Sequence, residues 1–117
     1  MRACKLWIPT LTVLCACGGA EFNQTRAADV QAAVLAAEQV GASDQPKAAL
    51  HLQLAKEQME SAKRLAADGD QNNSNLLLDR AKVDAQLALQ LARTEREQEN
   101  ARQAWEKIRD LQKESAR

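Results

Sequence analysis

From Gln71 to the C-terminus, 47 residues pass without a single glycine or proline. Alanine, leucine, glutamine, glutamate, lysine and arginine dominate the stretch, and all are strong helix formers. Nothing in it stops a helix. The pattern predicts one element over about residues 71–116, about 70 Å long at 1.5 Å per residue. Its first half carries an apolar face of Leu77, Leu78, Ala81, Ala85, Ala88, Leu91 and Ala92. The segment "RTEREQEN", Arg93 to Asn100, then has no apolar residue, so two turns of helix there must face solvent. Apolar residues return as Ala101, Ala104, Trp105, Ile108 and Leu111.

Two shorter helices are readable upstream. "TRAADVQAAVLAAEQV", over about 25–40, places Val30, Ala33, Val34, Ala37 and Val40 at three- and four-residue steps, which makes one apolar face. Thr25 is positioned as its N-cap, and Gly41 stands in the usual terminating position. The second helix, over about 45–69, opens at "SDQPK". Ser43 or Asp44 is expected to cap it, and Pro46 fits the first turn, where its missing N–H does no harm. Its stripe is Ala48, Leu52, Ala55, Met59, Ala62 and Ala66, with Leu65 alongside, and it stops at "ADGD". A short turn then returns the chain, as in an antiparallel αα-hairpin. The fold class is all-α: a signal-peptide helix, then an antiparallel hairpin or three-helix arrangement with a long, coiled-coil-like C-terminal helix. The second helix can cover the third only to about residue 95, and the first cannot reach the far end. Trp105, Ile108 and Leu111 therefore fall on an arm with no partner from the same chain. They are the candidate contact stripe for a partner helix or for self-association, since a Trp exposed at helical spacing with Ile and Leu suggests an interface. The other reading is a solvated, frayed tail.

The three cysteines, Cys4, Cys15 and Cys17, all lie in the first 17 residues. Arg2 and Lys5 precede the apolar run "LWIPTLTVL", which is too short to span a bilayer, a task that takes about 20 apolar residues. This is the shape of a bacterial signal peptide. Leu14-Cys15-Ala16-Cys17 resembles a lipobox. The Cys17 thiol would accept the diacylglyceryl group, small Ala16 would fit the peptidase site before the cut, and Leu14 would fill an apolar subsite. Cleavage before Cys15 would put bulky Leu14 at the scissile bond. The alternative is an ordinary signal peptide or an N-terminal membrane anchor. On the lipoprotein reading, residues 1–16 are the signal peptide, 17–24 a lipidated tether and 25–117 the helical domain. Each buried methylene adds about 0.8 kcal/mol, so several acyl chains anchor firmly where one is marginal. Gly18, rather than Asp, follows the cysteine, which by resemblance to enterobacterial sorting signals implies the outer membrane, with the body facing the periplasm.

Charge is balanced at 16 basic and 16 acidic side chains. Removing residues 1–16 takes away Arg2 and Lys5, leaving 14 basic against 16 acidic, a net charge of −2. A nucleic-acid binder usually shows a basic excess, and stacking platforms are lacking, with two Trp, one Phe and no Tyr. No nucleic-acid partner is expected. His51, the only imidazole, lies at the edge of the second helix's apolar face, and no metal or cofactor is expected. Glu57, Glu60, Asp79, Asp84 and the other carboxylates read as a solvated face among lysines and arginines. Ser61 and Ser74 lack the partners that activate a nucleophile. No catalytic residue is assigned.

The stretch from "AAVLAAEQVGA" through "LAKEQMESAKRLAADGD" to "LLLDRAKVDAQLALQLA" resembles the bacterial domain of unknown function 4398, over roughly Ala28 to Ala92. The resemblance implies a small envelope lipoprotein; longer relatives carry an OmpA-like peptidoglycan-binding domain that is missing here. It implies location and architecture, with no chemistry attached. The function expected is a structural or adaptor lipoprotein acting through helix–helix contacts. Its partners would be the membrane, through the N-terminal lipid, and an envelope protein or a second copy, through the C-terminal helix. The alternative is a small envelope carrier or chaperone that holds acyl chains or unfolded segments.

Overall fold

The computed structural model describes residues 22–116, and the signal and lipidation residues Leu14, Ala16 and Cys17 lie outside that range. The chain is all-α. Helix α1 spans Gln24–Gln39, α2 spans Pro46–Ala67 and α3 spans Gln71–Ser115. A short 3-10 turn, Ala42–Asp44, joins α1 to α2. Among the described residues no helix is long and apolar enough to cross a membrane.

The helix starts differ from the caps read in the sequence. Asn23, not Thr25, caps α1: its side chain accepts a hydrogen bond from the Arg26 N–H at 3.1 Å. Ser43 and Asp44 are consumed by the 3-10 turn that follows Gly41, so Gln45 is the N-cap of α2 and makes no side-chain capping bond. Pro46 takes the first helical position, where its fixed φ and absent N–H cost nothing. Gly41 turns the chain at φ +88 and Gly69 at φ +87, a region that a Cβ makes unfavourable by about 1–2 kcal/mol. Asp70 caps α3, accepting from the Asn73 N–H at 3.2 Å.

Paired side chains fix the register of the bundle. Arg26 pairs with Asp79, and Lys82 reaches Asp29 at 2.7 Å; both pairs are 53 residues apart. Two equal offsets mean that α1 and α3 run parallel, with Gln39 level with Ala92. Helix α2 runs back antiparallel: Asp84 of α3 accepts from both His51 and Gln58, and Lys56 pairs with Glu38 of α1. Pro46 is thereby also level with Ala92. The three helices make an up-down-up bundle whose upper edge is one plane.

The core is built from Ala27, Val30, Val34 and Ala37 of α1, Ala48, Leu52, Ala55 and Ala62 of α2, and Leu78, Ala81, Ala85, Ala88 and Ala92 of α3. Alanine lets the helix axes approach closely, so dispersion contacts rather than large side chains hold the bundle. Met59, Leu77 and Leu91 of the expected stripes are only partly buried. Ser74 is fully buried, and its hydroxyl donates to the Ala62 carbonyl at 2.8 Å.

Candidate functional site

Past the plane of Ala92 no other helix among the described residues covers α3. Ala92 is its last buried residue, three positions short of the expected limit, because α1 ends and α2 begins at that level. The helix continues for the 23 residues 93–115 as an arm, about 35 Å long.

The arm is helical without a core because its residues favour the state locally. Glu99 binds both Arg102 and Gln103, the latter at 2.8 Å, and Lys113 approaches Asp110 at 3.8 Å. Such exposed pairs support the helix modestly. Arg102 pairs back to Glu99 rather than forward to Glu106; acid before base is the better order along a helix. Hydrogen bonds from Gln103 and then Arg102 hold the Glu99 carboxyl below its ordinary range.

Trp105, Ile108 and Leu111 sit on this arm and are 67%, 44% and 57% exposed. Their side of the helix is set by spacing. The buried face of α3 is Ser74, Leu78, Ala81, Ala85, Ala88 and Ala92, at alternating steps of four and three. Continued at those steps, the same face becomes Glu95, Glu99, Arg102, Glu106, Arg109 and Lys113, all charged. The apolar residues of the arm lie on the opposite side. That opposite side is also apolar along the bundle, where Leu76, Val83 and Leu87 are exposed. Val83 is 62% exposed. Leu76, Val83 and Leu87, then Ala101, Ala104, Ile108 and Leu111, are all separated by steps of three, four or multiples of seven. One heptad seam thus runs along the outside of α3, interrupted by Arg80 between Leu76 and Val83 and by Gln90, Thr94 and Glu97 at its middle. Leu50 of α2 is also exposed, on the side of that helix away from its buried face.

Leu76, Val83 and Leu87 were not singled out from sequence; continuing the seven-residue spacing back from Leu111 through Ala104 would have found Val83 and Leu76. Asp84 is likewise not part of a solvated face. It is half-buried and clasped by His51 Nδ1 at 2.9 Å and Gln58 Nε2 at 2.8 Å. His51 is therefore a structural residue between α2 and α3. Among the described residues no group of three or more His, Cys, Asp or Glu side chains could hold a metal ion. The depressions on the bundle are shallow: the one beside Val83, lined also by Gln58, Asp79, Arg80 and Asp84, has a volume of about 340 Å³ and opens to solvent.

A family model described as a domain of unknown function (DUF4398) matches residues 25–104, well over half of the chain. The chain belongs to that family. The match takes in the whole bundle and the first part of the arm, and ends one residue before Trp105. No curated protein and no solved structure matches the chain.

Proposed function

We propose that this DUF4398 protein is an outer-membrane lipoprotein, anchored through Cys17 and facing the periplasm, that acts as a structural adaptor through helix–helix contacts and performs no catalysis. The observation that carries the adaptor reading is the arm of α3, with Trp105, Ile108 and Leu111 exposed on the side opposite the bundle's core face. An apolar seam on a helix in water is stable in solution only when its exposed area is small or another surface covers it. Geometry supports the lipid tether as well. Helix α1 begins level with about residue 77 of α3 and runs parallel to it, so the arm points away from the N-terminal end, leaving its tip free to meet a partner. The lipobox-like run ending at Cys17 supports the location.

The carrier alternative has one observation in its favour, the exposed Leu50, Leu76, Val83 and Leu87 on the outside of the bundle. Leu76, Val83 and Leu87 share one side of α3 and make an open strip there. An acyl chain laid along it would keep one side in water and lose about half of the roughly 0.8 kcal/mol available per methylene.

The test is photocrosslinking from position 105 in intact cells of the native host, with mass spectrometry of the Cys17 peptide from the same material. A defined protein adduct, lost when Ile108→Asp is added, supports the adaptor. Absence of any protein adduct, with lipid co-purifying, supports the carrier instead. An unmodified Cys17, or residues 1–16 still attached, would remove the anchored location.

A further inference from the structure

We infer that the occupant of the outer seam is a second copy of this chain, its α3 running antiparallel so that each arm lies along the outside of the other copy's bundle. The inference rests on the reading of the arm as a helix-binding surface and names its partner.

The seam consists of two apolar blocks, Leu76 to Leu87 on the bundle and Ala101 to Leu111 on the arm, separated by the polar block Gln90 to Glu97. A centre between residues 95 and 96 keeps seam positions facing seam positions when a second α3 is laid antiparallel on the first. Turning a second α3 about that centre sets Ile108 of one copy against Val83 of the other, and Ala104 against Leu87. Small faces large in the latter layer, as close packing requires. Glu97 then meets Thr94, while Gln90 meets Ala101, Arg80 meets Leu111 and Leu76 meets Ser115, so the apolar layers are those of Val83 with Ile108 and Leu87 with Ala104. Trp105 falls at the flanking position on the α2 side, level with Leu87 of the other copy. The single arrangement brings six of the eight exposed large hydrophobic side chains among the described residues to the paired α3 helices, all except Leu35 and Leu50.

Charge selects the orientation. A parallel pair would stack Glu97 on Glu97 and Arg80 on Arg80 within the seam, and like charges in contact are destabilising. The antiparallel pair places Arg80, which makes no ion pair among the described residues, within a turn of Glu114 of the other copy. Glu114 also passes Asp79, whose charge is already met by Arg26. The area suffices. Overlap over residues 76–115 is about 60 Å long at 1.5 Å per residue, and a strip about 10 Å wide gives about 600 Å² per copy. The total of about 1,200 Å² is at the lower bound of stable protein–protein interfaces.

The experiment places benzoylphenylalanine at position 108 of the full chain in a bacterial host and identifies the crosslinked peptides. The expected adduct is on the tryptic peptide 83–93. It can come only from a second copy, because residue 83 of the same straight helix is about 37 Å away at 1.5 Å per residue. Crosslinks to residues 103–113 of a second copy would overturn the antiparallel overlap. An adduct with a different protein would overturn the second-copy assignment and leave the adaptor reading standing, whereas no protein adduct at all would overturn both. Independently, Val83→Asp, at a position exposed in the single chain, should weaken dimerisation at least tenfold in detergent without changing helicity. Arg80→Glu should weaken it severalfold, and adding Glu114→Arg should restore it; failure of that rescue overturns the orientation.

Discussion

Leu78 is the largest fully buried side chain of the bundle, in a core that is otherwise almost all alanine. Truncating it to alanine should therefore cost more than its size alone suggests. Three buried carbons are lost, at about 0.8 kcal/mol each, or about 2.4 kcal/mol of transfer energy. A cavity term follows, because the surrounding core is mostly alanine, whose methyl groups have no rotamers with which to refill the space. At about 24 cal/mol per Å³ of residual cavity, a partly collapsed void adds about 1–2 kcal/mol. Leu78→Ala should thus destabilise the bundle by about 3–4 kcal/mol, a large part of the roughly 5–10 kcal/mol expected for about 95 residues. Leu76→Ala is the matched control. It removes the same atoms two positions away from a side chain that is 48% exposed, and should cost about 1 kcal/mol or less. Hydrogen exchange of the amides of residues 81–88 reads the opening of the bundle without interference from the arm. Protection there should fall by about two orders of magnitude or more for Leu78→Ala and by less than tenfold for Leu76→Ala. Equal losses in the two variants would refute the division of α3 into a buried inner face and a free outer one.

Removing the Asp84 carboxylate leaves His51 and Gln58 without their shared acceptor, so Asp84→Ala should cost about 1–3 kcal/mol in urea unfolding, whereas Asp79→Ala, at an exposed pair, should cost under about 1 kcal/mol. Asp70 has its pKa lowered by hydrogen bonds from the Asn73 side chain and backbone. A depressed folded-state pKa contributes stability that is complete above the unfolded value, about 3.9, and is lost as pH falls through the folded one. Wild type should therefore lose more stability than Asp70→Asn on acidification below about pH 4, since asparagine caps without titrating; identical acid profiles would remove the cap from the account. Trp105→Ala should leave bundle unfolding within about 0.5 kcal/mol of wild type, because 67% of that residue is already exposed.

The helices and their inner faces were legible because alanine and leucine repeat at helical spacing with only Gly41, Pro46 and Gly69 interrupting. What escaped reading depended on register between helices. Asp84 looks like any other acid until α2 is laid antiparallel and His51 and Gln58 bracket it. The three consecutive leucines Leu76, Leu77 and Leu78 span more than half a turn of helix, so only Leu78 can point fully inward; reading Leu77 and Leu78 as one core face hid the outward Leu76. The caps were misjudged for a different reason. Asn23, Thr25, Ser43 and Asp44 all have the right chemistry, and only the path of the chain into the helix selects among them. The parallel offset of α1 on α3 rests on two surface ion pairs that no periodicity announces.

The inner face of α3 ceases to be apolar at Ala92 while the outer side carries apolar residues both before and after it, and that limits what the arm can be. Had the four-and-three spacing of Leu78, Ala81, Ala85 and Ala88 continued in apolar residues, the arm would be a bundle helix lacking its neighbours, and any longer α1 or α2 could have completed it. Instead that face turns to Glu95, Glu99 and Arg102, which no extension of α1 or α2 could bury without leaving uncompensated charge. The apolar side faces away from both. A covering element must therefore approach α3 from the flank that the bundle leaves open, and it can extend from the arm down to Val83 and Leu76 without meeting α1. On the second-copy proposal that element is a long straight helix, and among the described elements of this chain α3 is the one of that length.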